Sequence, residues 1–150
     1  QVFFENSTKL EILVLKRMNL TSELLRKCFL FFIYKNLEYL DLSENLIEYL
    51  PERIFTSNKN LKYINIKLNR LKLFEFEDFD FSTKINFDLS FNQITNLFDL
   101  SKNYRKFDKI LLNYNNFTTF DLGLLKFYKE IFYLDLSHNN LEILRLNHLN

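Results

Sequence analysis

Apolar residues recur along this chain in one fixed frame, and an asparagine stands at the same point in most copies of it. In the copy that begins at Leu37, the apolar residues Leu40 and Leu42 precede Asn45. The asparagines of successive copies are separated by 24, 23, 23 and 24 residues, and they are Asn45, Asn69, Asn92, Asn115 and Asn139. A constant spacing of this size is the sequence signature of stacked structural repeats, so the chain is predicted to be a solenoid.

Each copy is predicted to begin with a short β-strand. Leu40 and Leu42 are two residues apart, so their side chains point to one side of an extended strand while those of Tyr39 and Asp41 point to the other. An amphipathic helix would instead need apolar residues at intervals of three and four, and the two-residue spacing does not fit that period. Stacked copies would therefore pair their strands side by side in a parallel sheet.

The recurrent asparagine is predicted to stabilise the turn that follows each strand. Backbone amides and carbonyls of such a turn are buried against the next coil, and buried polar groups need hydrogen-bond partners. A side-chain amide donates and accepts at the same time, so stacked asparagines would form a ladder between coils. Because the chain has one glycine and one proline, the turns are expected to rely on Asn, Asp and Ser, which tolerate turn backbone conformations.

The frame L-x-x-L-x-L-x-x-N-x-L resembles the leucine-rich repeat pattern over nearly the whole chain. Six copies begin near residues 10, 37, 61, 84, 107 and 131. Met18 replaces the asparagine of the first copy, and Lys84 places a charge at the first apolar position of the fourth. The resemblance implies an α/β fold, a horseshoe segment with a parallel β-sheet on its concave side and loops or short helical turns on its convex side. We expect residues 1–150 to form a single leucine-rich repeat domain that is a fragment of a longer array.

Composition argues against several classes of function. The formal net charge of +1 is too small to favour nucleic acid or a membrane surface. The longest apolar run, residues 28–34, is far shorter than the roughly 20 residues of a membrane helix. One cysteine, two histidines and one glycine leave neither a metal site nor a phosphate-binding glycine loop. We therefore expect no metal, no cofactor and no catalytic residue, and a Cys28 thiol that is buried and inert rather than reactive.

The concave side is predicted to expose a row of aromatic and apolar side chains. Alignment of the copies places residues of each strand, and of the exit from each strand, in columns whose members are about 4.8 Å apart. Contiguous exposed apolar rows mark contact sites, and tyrosine supplies both area and a hydroxyl for protein recognition. His138 is expected at the edge of this row rather than in a catalytic site. The predicted ligand-binding residues are Tyr39, Tyr63, Leu68, Phe91, Tyr114, Tyr133 and His138.

Two classes of function fit the pattern. The 24-residue spacing with Pro51 and Phe55 resembles extracellular leucine-rich repeat proteins, such as Toll-like receptors and secreted adhesion proteins. That resemblance implies recognition of a protein ligand at the cell surface or in the extracellular space. From the residues themselves we expect a non-catalytic module with its ligand on the concave face, and the charge balance argues against nucleic acid. The alternative is an intracellular scaffold or a regulatory segment of an enzyme. Three possible N-glycosylation sequons are compatible with secretion, although chance alone yields a similar number: Asn6, Asn19 and Asn116.

Overall fold

The computed structural model of the protein describes residues 9–28, 34–75, 84–98, 107–123 and 131–146. In these residues one helix and ten strands are assigned. In chain order they are β1 (Ile12–Val14), α1 (Ser22–Cys28), β2 (Tyr39–Asp41), β3 (Tyr63–Asn65), β4 (Leu73–Glu75), β5 (Ile85–Asp88), β6 (Asn96–Phe98), β7 (Phe107–Leu111), β8 (Thr119–Asp121), β9 (Tyr133–Asp135) and β10 (Ile143–Arg145).

Six of the strands form one parallel sheet in the order β1-β2-β3-β5-β7-β9. The register pairs the same repeat position from coil to coil, so that Leu40 lies opposite Ile64 and Ile64 lies opposite Phe87. The copies of the frame therefore stack as the sequence predicts. The structure confirms the leucine-rich repeat solenoid with its parallel sheet.

The apolar core lies between this sheet and the returning segments of the coils. On the inner side of the strands, Leu40, Ile64 and Phe87 have at most 1% of their surface exposed. Full burial of such a side chain stabilises the fold by roughly 1.5–3 kcal/mol. The equivalent Leu13 and Leu134 are only partly buried, because β1 and β9 are the edges of the sheet and in the described part of the chain have a neighbouring strand on one side. Burial in each coil thus depends on its neighbours, as expected for a repeat protein.

The fourth copy departs from the frame at its start. Lys84 is exposed, whereas the next residue, Ile85, has 1% of its surface exposed and lies opposite Phe107. The register shifts between Ile85 and Asn86, so that Asp108 becomes the extra residue of β7. This β-bulge places an apolar side chain in the core where the frame has a lysine, and it keeps the charge out of a site where burial is costly.

The returning side combines one helix, turns and two small two-stranded sheets. α1 follows the first strand, turns occupy residues 52–57, and β4 pairs with β6 while β8 pairs with β10, all in parallel. The sequence predicts loops or short helical turns here. It does not predict these two sheets, because the apolar residues of the returning segments do not follow one common spacing.

Two expectations from composition concern this part of the molecule. In the described ranges, the helix is neither long nor apolar enough to span a bilayer. The expected burial of the Cys28 thiol lies outside the described part of the molecule, which includes the backbone of Cys28 but not its side chain.

Candidate functional site

Asparagine side chains connect successive coils just beyond the sheet. The oxygen of the Asn69 side chain accepts a hydrogen bond at 3.0 Å from the N–H of Ile47 in the preceding coil. Its amide nitrogen donates at 3.0 Å to the carbonyls of Leu42, in the preceding coil, and of Ile66, in its own. Each asparagine thus satisfies turn groups that burial would otherwise leave without partners. The equivalent bonds are made by Asn45, Asn92, Asn115 and Asn139.

The first coil has Met18 instead of an asparagine at the ladder position, and its turn is bonded by the ladder asparagine of the next coil. The side-chain oxygen of Asn45 accepts from the N–H groups of Met18 and Leu20, at 2.9 and 3.0 Å. Met18 itself points outward, with 56% of its surface exposed. The departure from the frame at Met18 therefore leaves these two amides bonded.

A second column of hydrogen bonds, not predicted from the sequence, lies where the strands end and stabilises the turns that follow. The carboxylate of Asp88 accepts from the N–H of Ser90 at 3.1 Å and from its hydroxyl at 2.6 Å. Asp and Asn stabilise turns through such local bonds to the backbone. In the last copy, the equivalent bonds from Ser137 lower the pKa of Asp135. The recurring Asp-Leu-Ser triplet was the available sequence signal. The same bond from the N–H two residues on is accepted by Asp41, Asn65 and Asp135.

The residue before each ladder position has a left-handed backbone conformation. We name these six residues the exit column; their φ angles lie between 54° and 57°, and they are Arg17, Glu44, Leu68, Phe91, Tyr114 and His138. The prediction that Asn, Asp and Ser would supply the turn conformation is wrong at this position. A left-handed conformation costs a non-glycine residue roughly 1–2 kcal/mol. Hydrogen bonds hold it in place, since the N–H of Phe91 donates at 3.0 Å to the carbonyl of Asn113 in the next coil.

In the second half of the exit column, three rings stack on one another. The centroids of Phe91 and Tyr114 are 4.2 Å apart with an interplanar angle of 11°, and those of Tyr114 and His138 are 4.0 Å apart with an angle of 10°. The Nζ of Lys67 lies 4.9 Å from the centroid of Phe91. We name Phe91, Tyr114 and His138 the ring stack. The separation of strands by about 4.8 Å is close to the distance that stacked rings prefer, so one ring per coil produces a continuous row.

Tyr39 and Tyr63 form a separate stack nearer the start of the strands. Their centroids are 5.1 Å apart and their planes differ by 5°. Burial of the Tyr63 hydroxyl, with a smaller contribution from the charge of Asp88, raises the pKa of Tyr63 to about 12. At neutral pH this hydroxyl is therefore protonated and able to donate a hydrogen bond.

The remaining predicted contact residues lie on the same face without joining either stack. Tyr133 has 51% of its surface exposed, and the Nζ of Lys109 lies 4.8 Å from its ring centroid. Leu68 is 42% exposed and precedes Phe91 in the exit column. The structure thus brings three of the seven predicted residues into the ring stack and two into the tyrosine pair, and it places Tyr133 and Leu68 separately.

Ion pairs also lie on the concave face of the first three coils. The Nζ of Lys16 lies 2.8 Å from one carboxylate oxygen of Glu44, and the guanidinium of Arg17 contacts the other. These hydrogen bonds, first from Lys16 and then from Arg17, lower the pKa of Glu44. The Nζ of Lys62 lies 2.6 Å from a carboxylate oxygen of Glu38. Charge in this half is therefore largely neutralised within the protein.

Two of the three sequon asparagines are accessible. Asn19 and Asn116 are exposed, and Asn6 lies outside the described residues. The hydroxyl of Thr21, in the sequon of Asn19, accepts a hydrogen bond from the N–H of Leu24 at 3.2 Å, which caps the beginning of α1. In the parts of the chain that the structure describes, His, Cys, Asp and Glu side chains form no group of three or more that could hold a metal ion.

Comparison with known proteins adds the family pattern to this geometry. The family model described as leucine rich repeat matches residues 35–94. Curated protein sequences contain no significant match to this chain.

Solved structures with the same fold come from two complexes and from one leucine-rich repeat domain. One, from a TLR13–ssRNA13 complex, is 25% identical with a TM-score of 0.63, over 80% of this chain and 18% of that chain. A chain from the LRIM1/APL1C complex is 16% identical with a TM-score of 0.61, over 95% of this chain and 29% of that chain. The leucine-rich repeat domain of APL1B is 16% identical with a TM-score of 0.55, over 98% of this chain and 53% of that chain. This chain therefore spans less than two thirds of each of the three.

Proposed function

We propose that this chain, which has the leucine-rich repeat fold, is a non-catalytic protein-binding module of an extracellular receptor or adhesion protein and binds its ligand on the concave face. The observation that carries the proposal is the ring stack together with the tyrosine pair. Both lie on the outer side of the sheet, where side chains are not needed for the core.

The rings are suited to protein recognition because their positions are fixed before a ligand binds. Each ring of the stack is held by its neighbour at 4.0–4.2 Å, so little side-chain entropy remains to be lost on binding. Tyr114 keeps 42% of its surface exposed, and the Tyr63 hydroxyl stays protonated. Rigid aromatic anchors with a hydroxyl at the rim are typical of residues that dominate binding energy at protein interfaces.

The same geometry argues against single-stranded nucleic acid as the ligand of the stack, although TLR13 is found with ssRNA13 in its solved complex. Proteins that hold single strands use free ring faces on which bases lie. Here both faces of Tyr114 are covered, by Phe91 and by His138, and Lys67 lies over Phe91. A base could stack between these rings only by separating them. The formal net charge of +1 also gives little attraction for a polyanion.

Alanine substitutions test the proposed surface. Tyr63→Ala, Phe91→Ala and Tyr114→Ala should each weaken binding of the partner by about tenfold or more, since truncation of an interface anchor costs roughly 1–2 kcal/mol or more. The partner can be isolated with a photo-crosslinking amino acid at position 114. Tyr49, which is 39% exposed and bonded to Glu23 at the start of α1, provides the control position for both the crosslinker and the alanine.

Circular dichroism and thermal melting of the same variants separate lost binding from lost structure. If all three alanine variants bind the partner as the unmodified chain does, the concave rings are not the contact surface. Crosslinking that is equal at positions 114 and 49 would also reject the proposal.

The extracellular location is tested by the sequons. Peptide mapping of the protein from its native source, before and after glycosidase treatment, should find a glycan on the exposed Asn19 or Asn116. Unmodified asparagines at both positions would favour the alternative, an intracellular scaffold or a regulatory segment of an enzyme.

A further inference from the structure

The exposed part of the ring stack consists of ring edges. Tyr114 lies between Phe91 and His138, with centroid separations of 4.2 and 4.0 Å and interplanar angles of 11° and 10°. At these separations nearly parallel rings overlap, so each neighbour covers one face of Tyr114. Tyr114 nevertheless keeps 42% of its surface exposed. It therefore presents to a ligand the edge of its ring and its hydroxyl, rather than a face.

The two neighbouring rings present edges in the same way. One face of Phe91 is covered by Tyr114, and the Nζ of Lys67 lies 4.9 Å from its centroid. His138 is exposed, and Tyr114 covers one of its faces. Because the three planes are nearly parallel, their edges lie side by side from coil to coil. We name the outward edges of Phe91, Tyr114 and His138 the edge strip.

The edge strip carries partial positive charge. The quadrupole of an aromatic ring is negative on its faces and positive along its edge. The strip also contains the hydroxyl of Tyr114, which has no hydrogen-bond partner within the described ranges, and the imidazole of His138, which has at least one ring N–H. Aromatic rings favour an edge-to-face arrangement, so this strip attracts the electron-rich face of another ring.

A neutral ring fits the edge strip better than a charged or an aliphatic group does. A carboxylate would lose its hydration against the C–H edges of Phe91 and Tyr114, and a cation would meet both the positive edges and Lys67. An aliphatic side chain would gain burial without electrostatic attraction. An aromatic side chain gains both, and such side chains are enriched at protein interfaces.

We propose that the protein partner contributes an aromatic side chain whose ring face lies across the edge strip, centred on Tyr114, and that tryptophan is the preferred residue. This inference rests on the proposed protein-binding function and names the anchor that the ring stack recognises. The two fused rings of an indole can cover two neighbouring edges at once, whereas a phenyl ring covers one. The indole face also attracts positive charge more strongly than the faces of tyrosine and phenylalanine do.

Proton NMR on the full chain tests the inference with capped amino acids as probes. N-acetyltryptophanamide should shift the ring proton resonances of Tyr114 upfield in a saturable manner, because protons above the face of an aromatic ring are shielded. The ring protons of Tyr49, which is bonded to Glu23 outside the stacks, should not shift. N-acetylleucinamide should bind more weakly by about twofold or more and should produce no upfield shift.

A fluorinated probe separates quadrupole attraction from simple burial. A pentafluorophenyl ring is more hydrophobic than a phenyl ring, but its quadrupole is reversed and its face is positive. N-acetylpentafluorophenylalaninamide should therefore bind roughly two- to tenfold more weakly than N-acetylphenylalaninamide, the range for favourable aromatic geometry beyond burial. Equal or tighter binding of the fluorinated probe would overturn the inference.

Substitutions at position 114 locate the effect. Tyr114→Phe keeps the ring edge and should retain the preference for the phenyl over the pentafluorophenyl probe. Tyr114→Leu keeps an apolar side chain without the central edge, and the two probes should then bind with nearly equal affinity. Tyr49→Leu, at a tyrosine that is 39% exposed, is the matched control and should leave both affinities unchanged. Circular dichroism of each variant verifies that it is folded.

The outcomes distinguish this inference from the proposed function. If Phe91→Ala and Tyr114→Ala weaken partner binding while the two phenyl probes bind equally, the face binds protein without an aromatic anchor, and only the inference fails. Shifts of His138 without shifts of Tyr114 would mean that the indole stacks on the end of the ring stack, which also rejects the inference. If adenosine monophosphate shifts Tyr114 and binds more tightly than every capped amino acid, the strip serves a nucleobase and both proposals fail.

Discussion

The two halves of the exit column have the same backbone and different chemistry. In the first half, Arg17 and Glu44 have φ angles of 57° and 56° and form an ion pair. In the second half, Phe91 and Tyr114 have φ angles of 55° and 56° and stack ring on ring. Each residue's N–H also donates to the following coil in the same way. Because backbone hydrogen bonds hold the turn, different side chains can occupy this position.

The neighbouring ladder position shows the opposite behaviour. From Asn45 to Asn139 it keeps one residue type, because the side chain must bond an N–H and carbonyls of two coils at once. The side chain in the exit column does not have to form these hydrogen bonds. The exit column therefore contains different residue types in the two halves. The comparison separates residues that maintain the solenoid from residues that present a surface.

The largest change in stability is expected from a ladder asparagine, because coils in both halves depend on its hydrogen bonds. Asn92→Ala should lower the free energy of unfolding by roughly 1–3 kcal/mol. It leaves the buried N–H of Leu71 without its partner and removes one of the two ladder hydrogen bonds to each of the carbonyls of Ile66 and Leu89. Urea unfolding followed by circular dichroism measures the change. Gln93→Ala, at the exposed next position, is the control, and equal stability of the two variants would contradict the role assigned to Asn92.

A smaller effect is expected from the ring stack. A double-mutant cycle of Phe91→Ala and Tyr114→Ala should give a coupling energy of about 0.5–1.5 kcal/mol, the range for stacked aromatic pairs beyond simple burial. The coupling should change little with salt, since it does not depend on a pair of full charges. A coupling indistinguishable from zero would show that the two rings lie side by side without stabilising each other.

The ion pair of Arg17 and Glu44 should contribute less to the free energy of unfolding than the ring stack does, and its contribution should depend on salt and pH. A cycle of Arg17→Ala and Glu44→Ala is expected to show a coupling that disappears at high salt, because exposed charges are screened. The pKa of Glu44 is lowered from its ordinary value of 4.5, so this stabilisation is present above pH 4.5 and is lost as the pH falls through the lower folded-state pKa. A coupling that persists in acid and in salt would mean that the two side chains interact by packing rather than by charge.

The last expected effect appears only at alkaline pH. Because the folded state raises the pKa of Tyr63 from 10 to about 12, this hydroxyl adds stability that is fully present below pH 10 and is lost as the pH rises through 12. Tyr63→Phe should therefore reduce the loss of stability between about pH 9 and about pH 11 in urea unfolding. An identical pH dependence of the variant and the unmodified chain would show that Tyr63 ionises equally easily in the folded and unfolded states.

Sequence alone was sufficient for the features that repeat. The two-residue spacing of Leu40 and Leu42 predicts the strand, and the constant interval between copies predicts that Tyr39 lies opposite Tyr63, as the register shows. The predicted contact residues remain a prediction, because no partner is present to test them. The alignment of the copies did predict which of these residues lie next to one another, since stacked coils place equivalent positions side by side.

The sequence did not predict features that depend on the geometry of a single turn. The left-handed conformation falls on residues such as Leu68 and Phe91, which have no intrinsic preference for it. The expectation that Asn, Asp or Ser would adopt this conformation was therefore wrong for the exit column. The bulge that places Ile85 in the core instead of Lys84 arises from a choice between two registers. Local propensity does not settle that choice, because the burial of one side chain and the exposure of the other are properties of the stacked coils.

The sequence by itself determined the period, the pairing of equivalent strand positions outside the bulge and the identity of the ladder residues, because each is a consequence of burying the same apolar side in every coil. Tertiary structure decided how the outward side chains meet. The distance between coils brings the ring centroid of Tyr114 to 4.2 Å from that of Phe91 and to 4.0 Å from that of His138, while Lys16 and Arg17 contact Glu44. Side chains separated by a full repeat in the sequence become neighbours only when the coils stack, and their contacts then follow from ring stacking and charge rather than from the repeat pattern.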